Sequence, residues 1–311
     1  MSSYIRIPEL NPLRWLKFDN NTKDDFFANA ETPESPEWYA QPFEQGDLIS
    51  SQVRIVPDRF TSYKMELVDE DLNVVKTATS TVIYQDLTNN YDYVNFAVKP
   101  TGLEGIYYAL ISLNYAFVGQ SFTDRYISEP LDIQATHYGT LPIDYGHDEN
   151  DFDMMLHPLA VGKTGLQLIN YTSEGRKYRL RIHAGLWSKD ITTASSDTVY
   201  IDQTHSPRIL SAVPFKQFTW TFGNARGFPV WMFDKLARIF CCAYTQIDGE
   251  YYTKEPDAAL EPQPLERYPM RTATLLMALR ENVYSSEYER TVSKIPVGIG
   301  NMVIGSTFVI H

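Results

Sequence analysis

Runs of aromatic and β-branched residues recur about every ten residues between residues 47 and 135, with turn signals between them. Residues 91–99 alternate between two faces, so that Val94, Phe96 and Val98 share one side of a strand. Several such strands without a helical pattern predict a β-sandwich over residues 46–135, of the immunoglobulin-like kind. The Cys…Trp…Cys spacing of antibody domains does not occur, which excludes an antibody-type domain.

Residues 136–285 predict a second β-rich, sandwich-like domain. Residues 177–187 alternate, with Tyr178 and Leu180 opposing Arg179 and Arg181, as expected of a strand. The fold class predicted for the whole chain is therefore mainly β, with two β-sandwich-like domains.

One short helix is predicted in the second domain, near residues 229–243. Pro229 suits the first helical turn, and Phe233, Leu236 and Phe240 recur at helical spacing. Asp248-Gly249 then predicts a two-residue hairpin turn. Residues 270–285 fit a strand or a helix, and we favour a strand edge. Residues 286–311 predict a C-terminal strand or tail.

The formal charge of the 311-residue chain is −12, and its distribution is uneven. Residues 1–135 contain 10 Lys and Arg against 20 Asp and Glu, a net −10, whereas residues 136–311 contain 17 against 19, a net −2. An acidic N-terminal part is repelled by nucleic-acid phosphates and by anionic membranes, so neither is an expected partner. The charge serves solubility alone or contact with a basic protein surface.

Residues 1–45 predict an irregular N-terminal arm, because prolines interrupt it and its aromatic residues have no period. Aromatic side chains suit interfaces. We therefore expect the arm to lie on a protein surface, either the chain's own or a neighbouring subunit's. The candidate contact residues in the arm are Trp15, Phe26, Phe27, Trp38 and Tyr39.

The two cysteines, Cys241 and Cys242, are adjacent, a spacing that rarely meets disulfide geometry. They lie in the apolar run of the predicted helix, which indicates buried free thiols. The N-terminus shows no apolar leader, and no apolar run approaches the roughly 18 residues of a membrane span. We expect synthesis in a cytoplasm and no membrane partner.

Acidic and histidine side chains crowd into residues 144–157, at the junction of the two predicted domains. Calcium or a transition metal would suit such a set, but the spacing does not match an EF-hand loop. We favour a solvated linker or a subunit contact and expect no metal or other cofactor. The contact residues predicted here are Tyr145, His147, Asp148 and Phe152.

No motif in the sequence predicts catalysis, since neither a nucleophile elbow nor a zinc-protease helix occurs. The 39 Asp and Glu residues offer many carboxylate pairs, so a glycoside hydrolase stays an open alternative. Trp187 and Trp231 are candidate glycan contacts, although each also fits a core position. Arg179 and Arg181 belong to a basic cluster for which we favour ion pairing or a protein interface over nucleic-acid binding.

A series of short motifs runs in order along residues 45–255. They are Gly105-Ile106-Tyr107-Tyr108, Ser128-Glu129-Pro130, the run from Tyr145 to Asp153, Asp202-Gln203, Pro229-x-Trp231 and Ile247-Asp248-Gly249. In this order they resemble virion structural proteins encoded by phages and prophages of Bacteroidota.

The resemblance implies a non-enzymatic structural subunit of a bacteriophage tail, in the baseplate, the tail hub or a fibre attachment. Such a subunit assembles with itself and with other virion proteins, and resides in the virion tail after synthesis in the host cytoplasm. The alternative is a carbohydrate-binding adhesin or receptor-binding module whose partner is a host surface glycan.

Overall fold

The structure is a computed structural model of the chain. The residues it describes are 5–8, 10–18, 39–87, 90–117, 119–146, 178–186, 190–201, 205, 207–223, 227–242, 244–265, 270–279, 298–299 and 302–303.

The described strands are β1 (Ile5–Arg6), β2 (Trp15–Phe18), β3 (Gln41–Glu44), β4 (Ile49–Ile55), β5 (Ser62–Val68), β6 (Val74–Thr77), β7 (Thr79–Asp86), β8 (Tyr91–Val98), β9 (Gly105–Phe117), β10 (Gln120–Ser128), β11 (Leu131–Gln134), β12 (Thr140–Gly146), β13 (Tyr178–Gly185), β14 (Ile191–Ile201), β15 (Pro207–Phe222), β16 (Tyr244–Ile247), β17 (Glu250–Lys254), β18 (Glu261–Pro264), β19 (Arg271–Leu279), β20 (Gly298–Ile299) and β21 (Met302–Val303). A 3-10 turn covers Pro57–Arg59, and the helix α1 covers Val230–Ile239. The mainly-β fold class is confirmed.

Strands β1 to β11 form two sheets, which we call the sandwich. One sheet has the order β1-β4-β8-β7. The other has the order β2-β10-β9-β11-β3, with β5 added to β9 and β6 added to β5. All pairs are antiparallel except β3 with β11. The β-sandwich predicted here is confirmed.

The sandwich core lies between these two sheets. Val94, Phe96 and Val98 of β8 enter it together, as their alternation predicted. From the opposite sheet, Ala109 and Ile111 of β9 complete the layer. Period-2 alternation places every second side chain on the buried face.

The prediction of an irregular N-terminal arm is wrong for the described part of residues 1–45. Strands β1, β2 and β3 belong to the two sheets of the sandwich. Pro42 is compatible with β3 because that strand has four residues and lies at a sheet edge, where a missing N–H need not break a ladder. Prolines therefore limit the length of these strands without preventing them.

Strands β12 to β19 form what we call the barrel. Successive pairings run β15-β13-β12-β16-β17-β19, and β19 pairs again with β15, so these six strands close a ring. The two facing layers of the second domain thus come from one curled sheet. Trp220, Phe222, Tyr145 and Leu275 are among the side chains that fill it.

The predicted helix is confirmed as α1, whose Met232, Leu236 and Ile239 join the barrel core. It ends at Ile239, before the cysteines, so the prediction of two buried thiols is wrong: Cys241 is exposed and Cys242 is half-buried.

The hairpin turn at Asp248-Gly249 is confirmed between β16 and β17, with φ angles of 51° and 87°. Of the two alternatives for residues 270–285, the strand is confirmed over β19, and residues 280–285 lie outside the described residues. In the C-terminal segment, β20 and β21 pair as a short antiparallel hairpin.

Candidate functional site

Residues 10–14, which we call the connecting segment, lie between the sandwich and the barrel. Leu10 packs in the barrel core and Leu13 in the sandwich core. The backbone carbonyl of Leu10 accepts a hydrogen bond from the Tyr145 hydroxyl at 2.5 Å. The carbonyl of Pro12 accepts one from Lys235 Nζ at 2.9 Å. A short stretch of chain therefore ties strand β12 and helix α1 to the sandwich.

Asn11 extends this tie to the sandwich sheet. Its Nδ2 donates to the carbonyl of Gln52 at 2.8 Å, and its Oδ1 accepts from the N–H of Gln52 at 2.7 Å. The Gln52 side chain donates in turn to the Tyr178 hydroxyl on β13. These groups are buried, so each bond satisfies atoms that water does not reach.

The guanidinium of Arg181 makes four polar contacts at this junction. Its Nε and Nη2 donate to the two carboxylate oxygens of Asp47 at 2.6 and 3.1 Å. The same Nη2 lies 2.8 Å from Glu44 Oε2, and Nη1 donates to Thr140 Oγ1 at 3.2 Å. Arg181 and Asp47 are both buried, so this pair lies in a medium of low dielectric constant.

Arg179 forms a second, more exposed pair on the same strand. Its Nε and Nη2 donate to the two oxygens of Asp144 at 2.7 and 2.8 Å, and its Nη1 lies 3.4 Å from Asp47. The prediction that these arginines form ion pairs is confirmed for Arg179 and Arg181. Burial by itself would raise the pKa of Asp47. Hydrogen bonds from Arg181 and from the Glu44 N–H, together with the positive charges of Arg181 and Arg179, outweigh burial and hold that pKa below its ordinary value.

A second polar group lies where the connecting segment meets helix α1. The Arg14 guanidinium carbon is 5.3 Å from the Trp231 ring centroid, and Lys235 Nζ is 5.5 Å from it. The Tyr39 ring meets Trp231 edge-on at 5.8 Å. Glu129 Oε1 lies 3.3 Å from Arg14 Nη1, which is close enough for an ion pair but without a well-aligned hydrogen bond.

Burial is the largest cause of the pKa shifts in this second polar group. Burial raises the pKa of Glu129, opposed by the charges of Lys235 and Arg14. Burial lowers the pKa of Lys235 to about 8, opposed by Glu129. Among the described residues, neither oxygen of Glu129, nor Tyr39 Oη, nor Trp231 Nε1 has a hydrogen-bond partner. The group therefore makes the stability of the junction depend on pH.

Two of the predicted contact residues, Tyr145 and Tyr39, are buried inside the chain. Tyr145 is wholly buried in the barrel, and its hydroxyl is bonded to Leu10. Tyr39 is buried against Trp231, so of the two surfaces predicted for the arm it lies on the chain's own. For Tyr145 the prediction of a linker or subunit contact is wrong, because its side chain lies in the core of the second domain.

The remaining predicted site residues divide into two sets. Trp15 is half-buried and donates its indole N–H to Ser51 Oγ at 3.0 Å, within the sandwich. Trp231 packs against Tyr39, Arg14 and Lys235, which lie around its ring at the junction. The others lie outside the described residues: Phe26, Phe27, Trp38, His147, Asp148, Phe152 and Trp187.

The barrel carries an extension that the sequence did not predict. Residues 193–201 of β14 and 207–216 of β15 pair with each other beyond the barrel, and we call this hairpin the ribbon. Only Gln217–Phe222 of β15 pair with β19. Ten residues of strand give the ribbon a length of about 30 Å. A two-stranded ribbon is marginally stable by itself in water.

The far end of the ribbon has an apolar face. Val199 lies directly opposite Ile209, and Ile201 lies opposite Pro207, so these four residues share one face. Val199 is 49% exposed and Ile209 is 65% exposed. Tyr200, on the other face, is exposed too. These exposed side chains make the end of the ribbon a candidate interaction surface.

The sequence contains a signal from which the ribbon could have been predicted. The run from Ile191 to Ile201 is rich in Thr, Val and Ile, which favour strands. Pro207 and Pro214 argue against a strand over the first half of β15, since proline is rare in central strands. Both prolines lie on a strand whose outer edge is unpaired along the ribbon in the described residues, where proline is allowed.

A second exposed apolar surface lies on the sandwich. Strand β7 is the last strand of its sheet and pairs only with β8 among the described strands. Val82 on this strand is 39% exposed, and Leu87 just after it is 89% exposed. Val74 and Val75 of the preceding strand β6 are exposed as well. We call residues 79–87 the β7 edge.

Within the described residues, no three His, Cys, Asp or Glu side chains are grouped to hold a metal ion. Of the acidic run at residues 144–157, only residues 144–146 are described, and Asp144 is engaged by Arg179. No helix in the described part of the chain is long and apolar enough to cross a membrane. The junction is held by hydrogen bonds and ion pairs within the chain, and the ribbon and the β7 edge are the candidate interaction surfaces.

Comparison of the chain with protein-family models, with curated proteins and with solved structures found no match.

Proposed function

We propose that this chain is a non-enzymatic structural subunit of a bacteriophage tail and that it works by assembling with copies of itself and with other virion proteins. One observation carries the assembly role. The ribbon extends about 30 Å from the barrel as two strands with an apolar end, and such a hairpin needs a further surface to become stable. A subunit of a repeating particle supplies that surface from its neighbour.

The junction between the two domains supports the same role. Arg181, Asn11 and Tyr145 hold the sandwich against the barrel through buried hydrogen bonds. A subunit that transmits position within a particle needs its binding surfaces at a fixed separation, and these bonds provide that. The assignment to a phage tail rests on the motif resemblance over residues 45–255, to which Ser128-Glu129-Pro130 and Pro229-x-Trp231 belong.

Particle incorporation tests the proposal. Phage particles are purified on a density gradient from a host in which a plasmid copy replaces the phage's own gene for this chain. We expect the wild-type chain to band with the particles in a fixed ratio to the other particle proteins, measured by quantitative mass spectrometry. A chain found only in the soluble fraction contradicts the proposal.

A pair of matched variants ties incorporation to the ribbon. Ile201→Lys places a charge on the apolar end of the ribbon, whereas Val230→Lys places one at the start of α1, where the side chain is 46% exposed. We expect the particle fraction to lose the ribbon variant and to keep the helix variant. Equal incorporation of the two variants means that the ribbon has no part in assembly.

A further inference from the structure

The two longest terminal strands of the described sheets are β14, with eleven residues, and β7, with eight. The other terminal strands, β1, β2, β3, β6 and β18, have at most four residues. An unpaired edge presents a row of backbone N–H and C=O groups to any strand that reaches it. The chain therefore has two long edges that suit pairing, one on each domain.

Both long edges have few of the features that usually prevent such pairing. Natural edge strands are protected by charged side chains, above all Lys, by Pro or by bulges. β7 and β14 contain no Lys, Arg, Pro or Gly, and one charged residue each, Asp86 and Asp197. Each has one bulge, at Val82/Tyr84 and at Thr198/Val199. The outer edge of β15 differs, since Pro207 and Pro214 remove two of its donors. Pairing by the ribbon is thus expected through β14.

Six of the eleven exposed large apolar residues in the described part of the chain lie at the same two places. Val199, Tyr200, Ile201 and Ile209 lie at the end of the ribbon. Val82 and Leu87 lie on the β7 edge. A contact between the two surfaces removes both groups from water at once. Pairing of β14 with a second β14 leaves the group on the β7 edge exposed.

The formal charges also favour contact between the ribbon of one copy and the sandwich of another over contact between two sandwiches. The described residues within 1–135, which form the sandwich, hold 9 Lys and Arg against 13 Asp and Glu, a formal charge of −4, so two sandwiches repel each other. Over residues 193–216 the hairpin contains Arg208 and Lys216 against Asp197 and Asp202, a formal charge of 0. A ribbon that approaches the sandwich of another copy is therefore not repelled as a second sandwich would be.

We propose that the outer edge of β14 in one copy pairs with the outer edge of β7 in a second copy, which gives a head-to-tail assembly. This inference rests on the proposed function and names its self-contact. The pairing extends the sheet β1-β4-β8-β7 by the two strands of the neighbour's ribbon. Because the two contacting surfaces differ, a pair of copies keeps one free ribbon on one copy and one free β7 edge on the other, and the assembly closes as a ring or grows as a filament.

Three matched substitutions test this contact in the purified full-length chain. Val199→Lys blocks the ribbon, Val82→Lys blocks the β7 edge, and Val230→Lys is the control on α1, all at exposed valines. Sedimentation velocity over a concentration series measures association. We expect each blocking variant to lose at least about tenfold in association constant, because an unpaired lysine is buried in the contact. The control is expected to match the wild type.

Mixing the two blocked variants gives the most specific result. The Val82→Lys chain keeps its ribbon and the Val199→Lys chain keeps its β7 edge, so a mixture of equal amounts forms a complex of two copies and grows no further. Ile201→Lys and Leu87→Lys, at more exposed residues, repeat the experiment should circular dichroism show that a first variant is unfolded.

Two outcomes overturn the inference. A Val82→Lys chain that associates like the wild type means that ribbons pair with ribbons or that the contact lies elsewhere. A wild-type chain that stays monomeric at every concentration means that the ribbon has no self-contact. Neither outcome overturns the proposed function, which fails instead when the wild-type chain is found only in the soluble fraction and not in particles.

Discussion

The junction buries charged and polar side chains, whereas the ribbon exposes apolar ones. At the junction, charged and polar side chains are buried, and most of them have partners within the chain, such as Arg181 with Asp47. On the ribbon, apolar side chains such as Val199 and Ile209 stay in water, with no described residue over them. The contacts of the junction are made within one chain, whereas the apolar side chains at the end of the ribbon stay exposed in it.

The difference separates what the fold needs from what the assembly needs. A buried ion pair is costly to form and more costly to break on one side, so it fixes the relative position of the sandwich and the barrel. An exposed apolar hairpin adds little to the free energy of folding of a single copy. Substitutions at the two places should therefore change different measurements.

The largest expected effect on folding is at the junction. Arg181→Met leaves Asp47 buried without its bidentate partner, although Arg179 Nη1 still lies 3.4 Å away. We expect the free energy of unfolding to fall by about 3–5 kcal/mol, measured by urea denaturation. Lys17→Met is the control, because Lys17 and Asp124 form an exposed pair at 3.8 Å, and its loss is expected to cost less than about 1 kcal/mol. Equal losses in both variants would show that burial of the Asp47 pair is energetically unimportant.

Interactions between residues close together in the chain could be predicted from the sequence, whereas those between distant residues could not. The alternation of Val94, Phe96 and Val98 and the turn at Asp248-Gly249 are local patterns, and both were correctly predicted. Tyr145 was wrongly predicted at an outer interface because its partner, Leu10, lies 135 residues away in the chain. A one-dimensional pattern shows that an aromatic ring will be buried, but not which surface buries it.

A smaller loss is expected from the connecting segment. Asn11→Ala removes both side-chain bonds to the backbone of Gln52, which leaves a buried N–H and a buried carbonyl without that partner. Each buried group left unpaired costs about 1–3 kcal/mol, so we expect a loss of about 2–4 kcal/mol in the free energy of unfolding. Asn114→Ala is the matched control, since its side-chain bonds to Ser62 and Thr123 are exposed. A loss at Asn11 no greater than at Asn114 contradicts the role of the connecting segment.

The pH dependence of stability tests the second polar group of the junction. The pKa of Lys235 is about 8 in the folded chain, against an ordinary value of 10.5 for a lysine exposed to water. Between these two values the unfolded chain binds a proton that the folded chain has released, so the free energy of unfolding rises with pH. The penalty for burying the charge is fully present below pH 8 and is relieved as the pH rises. The expected gain between pH 8 and 10 is on the order of 2 kcal/mol.

Comparison with Lys235→Met isolates this titration. Burial raises the pKa of Cys242 to about 12, with a further contribution from Cys241, and this acts in the opposite direction above about pH 9. Both chains share that contribution, so it cancels in the difference between their unfolding curves. We expect the wild type to gain stability relative to the variant from pH 8 upward. Parallel curves would mean that Lys235 keeps its proton throughout this range.

The smallest effect on folding is expected on the ribbon. Val199 and Ile209 face each other across the hairpin and are largely exposed, so Val199→Thr with Ile209→Thr keeps the β-branched shape and removes only apolar surface that water already reaches. We expect the free energy of unfolding of the single copy to change by less than about 0.5 kcal/mol, measured below the concentration at which copies associate. The control Val94→Thr, at a wholly buried position of β8, puts a hydroxyl in the sandwich core and is expected to cost about 1–3 kcal/mol. A ribbon variant as unstable as the core variant would mean that Val199 and Ile209 are covered within the chain, and the ribbon would then be part of the fold and not a surface for a neighbour.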